Sequence, residues 1–287
     1  MNAVIEDRVQ RRDGIAFATT IEESSYRARW ENEAVENHVR SAIANAPDEA
    51  PSDGLLTAKI GPLWGRFPEG RHVPRVLDVG AGYGRIDLYL ARERTMTCDA
   101  LYAVDISATM LTRMLEYRGR FGVFDGAEVN AICASADELP LEDSSIDLAI
   151  SSAVFLHMGK SFVRRAVGEV ARVLRPGGAF VFDGSFPNAI NPSNWPPRLK
   201  PRRLRNPNAL KYWRRREVEQ LLDESGLAAR AGGYVLEATS YAVLPKTIGP
   251  VSIPLARRAN RAIGEPARLT DLLTVSFSAY SPGAIEA

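Results

Sequence analysis

The chain has 287 residues, 45% hydrophobic and 25% charged, enough for a full core in one large domain or one domain with appended pieces. Its 36 Lys and Arg nearly balance 35 Asp and Glu, and a formal charge of +1 argues against nucleic acid or an anionic membrane surface as the main partner. The two cysteines, Cys98 and Cys133, fit no zinc or disulfide spacing and read as reduced, buried small hydrophobes of a cytoplasmic protein.

In chain order, residues 1–12 are studded with acids and bases and lack the apolar stretch of a secretion signal. No window approaches eighteen uninterrupted apolar residues, so no span of a bilayer is expected. Residues 1–72 read as an N-terminal helical cap. "ESSYRARWENEAVENHVRSAIA" (23–44) has helical spacing and stops before the breaker-rich "NAPDEAPSDG", and a second helix is expected over 55–64.

Residues 73–287 form the expected main domain. "RVLDVG" (75–80), "LYAVDIS" (101–107), "EVNAICAS" (128–135), "SIDLAISSAV" (145–154) and "GAFVFDGSF" (178–186) read as strands. They alternate with helices over 84–93, 108–121 and 160–175, the last ending at Pro176-Gly177-Gly178. Such alternation implies βαβ units and a largely parallel sheet. Residues 187–212 read as an insertion or lid, rich in proline, asparagine and arginine. "RRREVEQLLDESGL" returns to a helix, and "AGGYVLEATSYAVL" and "LLTVSFSAYS" are β-rich runs able to pair as an antiparallel edge hairpin.

"VLDVGAGYGR" carries the chemistry. Its glycines follow G-x-G-x-G, and Arg85 stands where the dinucleotide fingerprint needs a third small residue. Asp78, two residues before Gly80, would repel a pyrophosphate but attract an ammonium or sulfonium, as in S-adenosylmethionine. A Walker loop is excluded, since no G-K-[ST] follows. Asp105, ending the second strand 21 residues after Gly84, can accept from a ribose diol, and Asp137 after the third strand can accept from an adenine amine. Three acids after three strands line one crevice at the carboxyl ends.

"VLDVGAGYGR", "AVDIS", "ASADELPLEDSSIDLAISSAVFLH" and "EVARVLRPGGAFVF" together resemble the successive motifs of the class I S-adenosylmethionine-dependent methyltransferases. The resemblance covers roughly 75–186, and more loosely 212–281. It implies a Rossmann-like three-layer α/β sandwich whose seven-stranded, mostly parallel sheet ends in an antiparallel hairpin. It implies that Asp78, Gly80, Ala81, Gly82 and Gly84 meet the methionine end, Asp105 the ribose, and Ile106, Ala136 and Asp137 the adenine. Ser152 lies in the loop (151–153) that closes on the cofactor in this family, and Tyr26, with Arg29 and Trp30, on a helix that covers it. Tyr26 and Trp30, four apart, fit simple helix packing equally well. The product would be S-adenosylhomocysteine.

Methyl transfer from a sulfonium mainly requires alignment, with a base where the acceptor must lose a proton. His157, after the fourth strand, is the candidate catalytic base, a structural hydrogen-bonding role being its alternative. Asp183 after the fifth strand is either a base or a turn acid. A hydroxyl acceptor on a small molecule, sugar or natural product is favoured, because no Asn-Pro-Pro-Tyr-type motif follows the fourth strand. No metal-ligand spacing stands out.

The segment 198–216 holds nine Lys or Arg and no acid. It reads as a solvated loop, or as an anion-binding lid for a phosphorylated, lipid-linked or nucleic-acid substrate, with peripheral membrane contact as a variant of the latter. A non-catalytic cofactor-binding protein is the remaining alternative. The acceptor and the oligomeric state are not encoded in any motif.

Overall fold

The run His72–Val79 ends in four consecutive buried residues, Val76, Leu77, Asp78 and Val79, the pattern of a strand covered on both faces. In the computed structural model this strand lies mid-sheet. The structure describes residues 3–21, 30, 69–152, 154, 155, 158–184, 213–241 and 274–280.

The strands are β1 (Val9–Arg12), β2 (Ile15–Ala18), β3 (His72–Val79), β4 (Thr97–Asp105), β5 (Glu128–Cys133), β6 (Ile146–Ser151), β7 (Leu174–Gly184), β8 (Val235–Tyr241) and β9 (Thr274–Tyr280). The helices are α1 (Arg85–Glu93), α2 (Ala108–Phe121), α3 (Lys160–Val173), α4 (Arg215–Glu224) and α5 (Leu227–Ala231). One sheet runs β1-β2-β5-β4-β3-β6-β7-β9-β8. From β2 to β7 every neighbouring pair is parallel. β9 runs antiparallel between β7 and β8. The seven strands from β3 onward are those expected from the sequence, and the first two are additions.

The chain steps outward from β3 through β4 to β5 and returns to β6 on the other side of β3. This reversal opens a crevice at the carboxyl ends of the central strands. Helix α2 packs across β4, β5 and β2, while α3, α4 and α5 gather against one another and β7. Local chemistry sets the helix ends. Ser107 caps α2 by accepting from the Met110 N–H at 3.3 Å, and Gly122 ends it at φ 63°. The buried face of α3, Phe162, Val163, Ala166, Val167, Val170 and Ala171, follows the 3.6-residue period that marked it in the sequence.

Two sequence expectations need correction. Residues 9–18 form a hairpin of the sheet, where the sequence reading placed a helical cap. Asp13 and Gly14, at φ 51° and 79°, make the two-residue turn that joins right-twisted strands. The hairpin is anchored by parallel pairing of Ile15, Ala16 and Phe17 with Ala131, Ile132 and Cys133. The Ala3 N–H also donates to the buried Tyr102 hydroxyl at 3.1 Å. Second, α3 stops at Val173 and β7 begins at Leu174, so Pro176-Gly177-Gly178 lies inside a strand, at a register irregularity where proline is tolerated. The expected helices over 23–44 (residue 30 aside) and 55–64, and the insertion 187–212, lie outside the described residues.

Cys98 and Cys133 are buried and not joined in a disulfide. Among the described residues no helix is long and apolar enough to cross a membrane.

Candidate active site

The glycine loop leaves β3 through Gly80, Gly82 and Gly84, at φ 78°, 55° and 82°, backbone conformations that side chains rarely allow. It is tied to the neighbouring strand: the Gly80 and Ala81 N–H groups both donate to the Val104 carbonyl, at 2.7 and 3.0 Å. A Cβ at Gly80 would stand 2.2 Å from a methyl of Val154, so the close approach there is to the protein itself. At Gly82 no atom of the described residues lies within 4 Å of where a Cβ would stand, and toward them that face of the loop is open. The cavity above it is lined by Asp78, Gly80, Ala81, Gly82, Arg85 and Ser152, with Tyr83 and Ile86 beside them.

Asp105 ends β4 and bonds to the loop. Its Oδ2 accepts the Gly82 N–H and its Oδ1 the Ser107 N–H, both at 2.9 Å. The two amides hold the carboxylate in place at the end of β4, beside the glycine loop. Ile106 packs against the core, and its carbonyl accepts from the Cys133 thiol. Ala136 and Asp137 follow β5 on the same edge but do not line the cavity.

Asp137 already has partners that the sequence did not announce. Its Oδ2 accepts from Arg165 Nε and Nη2 at 3.0 and 2.7 Å, and its Oδ1 from the Ser135 hydroxyl. An adenine amine would share this carboxylate with Arg165. On the other side of the cavity, the Ser152 hydroxyl donates to Asp183 Oδ2 at 3.0 Å, bridging the ends of β6 and β7. Ser151, fully buried, braces β6 to β3 through the Val79 carbonyl at 2.9 Å.

Electrostatically the floor of the site is acidic. Burial, and after it the charges of Asp87 and Asp105, push the Asp78 carboxyl well above the usual carboxylate range. Asp87, in the first turn of α1, is pushed up to about 7 by burial. Sequence reasoning passed over Asp87. The available signal was an acid three residues before Leu90, on the face of α1 that turns to the sheet. Arg85, read from the sequence only as a breach of the dinucleotide pattern, stands on the cavity wall with its guanidinium 5.5 Å from the Tyr83 ring centroid.

At the cavity the structure brings together Asp78, Gly80, Ala81, Gly82 and Ser152, while Asp105, bonded to Gly82, and Gly84, at the start of α1, do not line it. His157 and Tyr26 lie outside the described residues. Among the described residues no group of three His, Cys, Asp or Glu is placed to hold a metal.

Residues 77–182 match a family model described as a methyltransferase domain. The chain is 33% identical over 142 residues to a sarcosine/dimethylglycine N-methyltransferase of Aphanothece halophytica, covering 49% of this chain and 48% of that protein. It is 35% identical over 124 residues to a malonyl-[acyl-carrier protein] O-methyltransferase of Geobacter sulfurreducens, covering 42% and 43%. The chain thus spans about half the length of the curated relatives it matches. In fold it is similar to phosphoethanolamine N-methyltransferase 2 of Haemonchus contortus, solved with S-adenosyl-L-methionine. The TM-score is 0.60 at 16% identity, over 90% of this chain and 60% of that one.

Proposed function

We propose, from the premise that residues 77–182 are a class I S-adenosylmethionine-dependent methyltransferase domain, that the protein moves a methyl group from S-adenosylmethionine to a small acceptor bearing an amine. The observation that carries the donor half is the tie between Asp105 and the glycine loop: its carboxylate accepts the Gly82 and Ser107 amides and is thereby fixed at the end of β4. The residues present suit this donor. Asp78 on the cavity wall answers an ammonium or sulfonium, and Arg85, also on the wall, answers a carboxylate. The open face at Gly82 lets a ligand approach the backbone. Ile106, Ala136 and Asp137 are the residues for the adenine end. When bound, the donor supplies a methyl group on a cationic sulfur and leaves as S-adenosylhomocysteine.

The protein's task is then to align the acceptor with that methyl and exclude water. The Ser152–Asp183 bond supports an amine, because it sets a carboxylate beside the cavity wall where it can take the proton from an incoming ammonium and orient the neutral nitrogen. The N-methyltransferase relative supports the same reading. The sequence-based preference for a hydroxyl, with His157 as base, becomes the second reading. The O-methyltransferase relative favours transfer to oxygen, there on an acyl-carrier-linked acid. No feature of the described residues supports a sugar, lipid-linked or nucleic-acid acceptor, and most of 198–216 lies outside them.

Titration calorimetry with S-adenosylmethionine and S-adenosylhomocysteine, beside an Asp105→Ala control, tests the donor half. Binding weakened at least tenfold by the substitution is the expected result, and no heat with either ligand removes the reading. Donor carrying a labelled methyl, offered glycine, sarcosine, dimethylglycine and a matching panel of hydroxyl and carboxyl acceptors, tests the acceptor half. Label on oxygen acceptors alone would replace the amine by the second reading.

A further inference from the structure

Asp87 is a buried acid that the chemistry above leaves unused. It is 1% exposed, and among the described residues neither of its carboxylate oxygens has a hydrogen-bond partner. Its Oδ2 lies 3.8 Å from where a Cβ at Gly84 would stand, so the carboxyl packs beneath the glycine loop, while Asp78 forms the cavity wall. The charged or titratable groups that act on the two acids are Asp105 and Cys98 on β4; Asp99 on β4 and Arg118 on α2 act in turn on Cys98, and Arg85 on α1 lines the cavity with Asp78. Asp105 is held by the Gly82 and Ser107 amides. Arg118 donates to the Phe124 and Ala127 carbonyls at 3.3 and 3.2 Å, and Arg85 stands over Tyr83. Among these described groups, neither cation is recorded in an ion pair with Asp87.

A carboxylate buried without a hydrogen bond or a paired cation is strongly disfavoured when ionised, and a second acid nearby makes simultaneous ionisation harder still. The arrangement costs stability that an apolar residue at position 87 would spare. It becomes useful only when positive charge arrives at the cavity.

Resting on the methyltransferase reading, we propose that Asp87 is the charge reserve of the donor site: Asp78 and Asp87 hold one proton between them while the cavity is empty and release it when a cationic ligand settles beside Asp78, so that the site favours the sulfonium donor over its thioether product. Only an O–H bond breaks, and the proton leaves to solvent. The pair passes from one negative charge to two as an ammonium and a sulfonium come in. With the product only the ammonium comes in, and the proton is retained in larger part. Asp87 acts through Asp78, as a positioning residue for charge.

Titration calorimetry of the full chain near pH 6.5, in two buffers of unlike ionisation enthalpy, reads the released proton directly. For the wild type we expect close to one proton released per S-adenosylmethionine and distinctly fewer per S-adenosylhomocysteine. Affinity for the donor should tighten by up to about tenfold for each pH unit by which pH rises toward 7, and weaken correspondingly in acid. Asp87→Asn should bind with heat independent of buffer, lose the pH slope, and narrow the preference for donor over product roughly fivefold. Buffer-independent heat in the wild type, or proton release that survives Asp87→Asn, overturns the proposal and leaves donor binding standing. No binding of either ligand by the wild type overturns the methyltransferase reading, and this proposal with it. If Asp87→Asn does not fold, Asp87→Ser takes its place, and the wild-type heats and pH profile still decide the sign.

Discussion

Two groups of acids in this molecule are treated in opposite ways. On α3 and the 139–143 loop, Arg172 spends its guanidinium on Glu169 at 2.8 and 2.9 Å, Asp143 at 2.6 Å, and the Leu139 and Leu141 carbonyls. Glu169 completes the network by accepting the Leu139 N–H. Every charge there has a partner, and the network ties a helix to a loop. Beneath the glycine loop, Asp78 and Asp87 are more deeply buried and Asp87 has no such partner among the described residues. A chain that satisfies its scaffold acids so fully and leaves these two to raised proton affinity marks the place where charge is meant to come from outside.

The contrast can be broken at either end. The largest effect is expected from Asp87→Asn. The folded protein holds a proton on Asp87 up to about pH 7, whereas the unfolded chain gives it up near the ordinary carboxylate value of about 3.9. This group's stabilising contribution is therefore complete below about pH 4, is lost as pH rises, and is gone above 7. Thermal melts should show the variant more stable by on the order of 4 kcal/mol at pH 8, with the gain shrinking toward pH 4. An unchanged pH slope would mean that Asp87 ionises with a cation's help and that the two groups of acids are alike.

Gly80→Ala comes next. A positive φ and a Cβ 2.2 Å from Val154 should together cost about 3 kcal/mol in denaturant unfolding, with donor binding weakened in parallel. At the other end of the contrast, Arg172→Ala should cost about 2 kcal/mol by leaving two carbonyls and the half-buried Glu169 short of donors. Donor affinity should not move, because that network holds the scaffold alone. The smallest effect is expected from Arg165→Ala. Its side chain is 60% exposed, so stability should change by less than about 1 kcal/mol. Calorimetry should nonetheless find donor binding slightly tighter, as Asp137 is released toward an adenine amine. No change would remove Asp137 from the adenine end.

The sequence was legible where a rule depends on neighbours along the chain. Apolar runs located every strand from β3 to β9, and the period of α3 located its buried face. The spacing of Asp78, Gly80, Gly82 and Asp105 foretold a loop and an acid that the structure joins through the Gly82 amide. What escaped depends on partners far away or on signals that compete. The Asp13-Gly14 turn was readable, but charges on either side obscured the short strands around it. Arg165 reaching Asp137, 28 positions earlier, follows only from α3 lying against the loop that leaves β5. Asp87 on an inward helix face looks like an ordinary first-turn acid until its burial is known.

The early hairpin has a consequence for how the protein is made. Ile15 lies opposite Ala131, 116 positions later, and the last of the three pairs needs Cys133. A two-stranded ribbon is marginal alone in water. During synthesis, residues 9–18 must therefore wait, with Ile15, Ala16 and Ala18 uncovered, until β5 has left the ribosome. Pairing of β2 with β5 then closes a loop through more than a hundred residues, so that strand works as a clasp on the half of the sheet already built. A chain stalled before residue 128 would keep the clasp open and offer those apolar faces to whatever binds nascent protein.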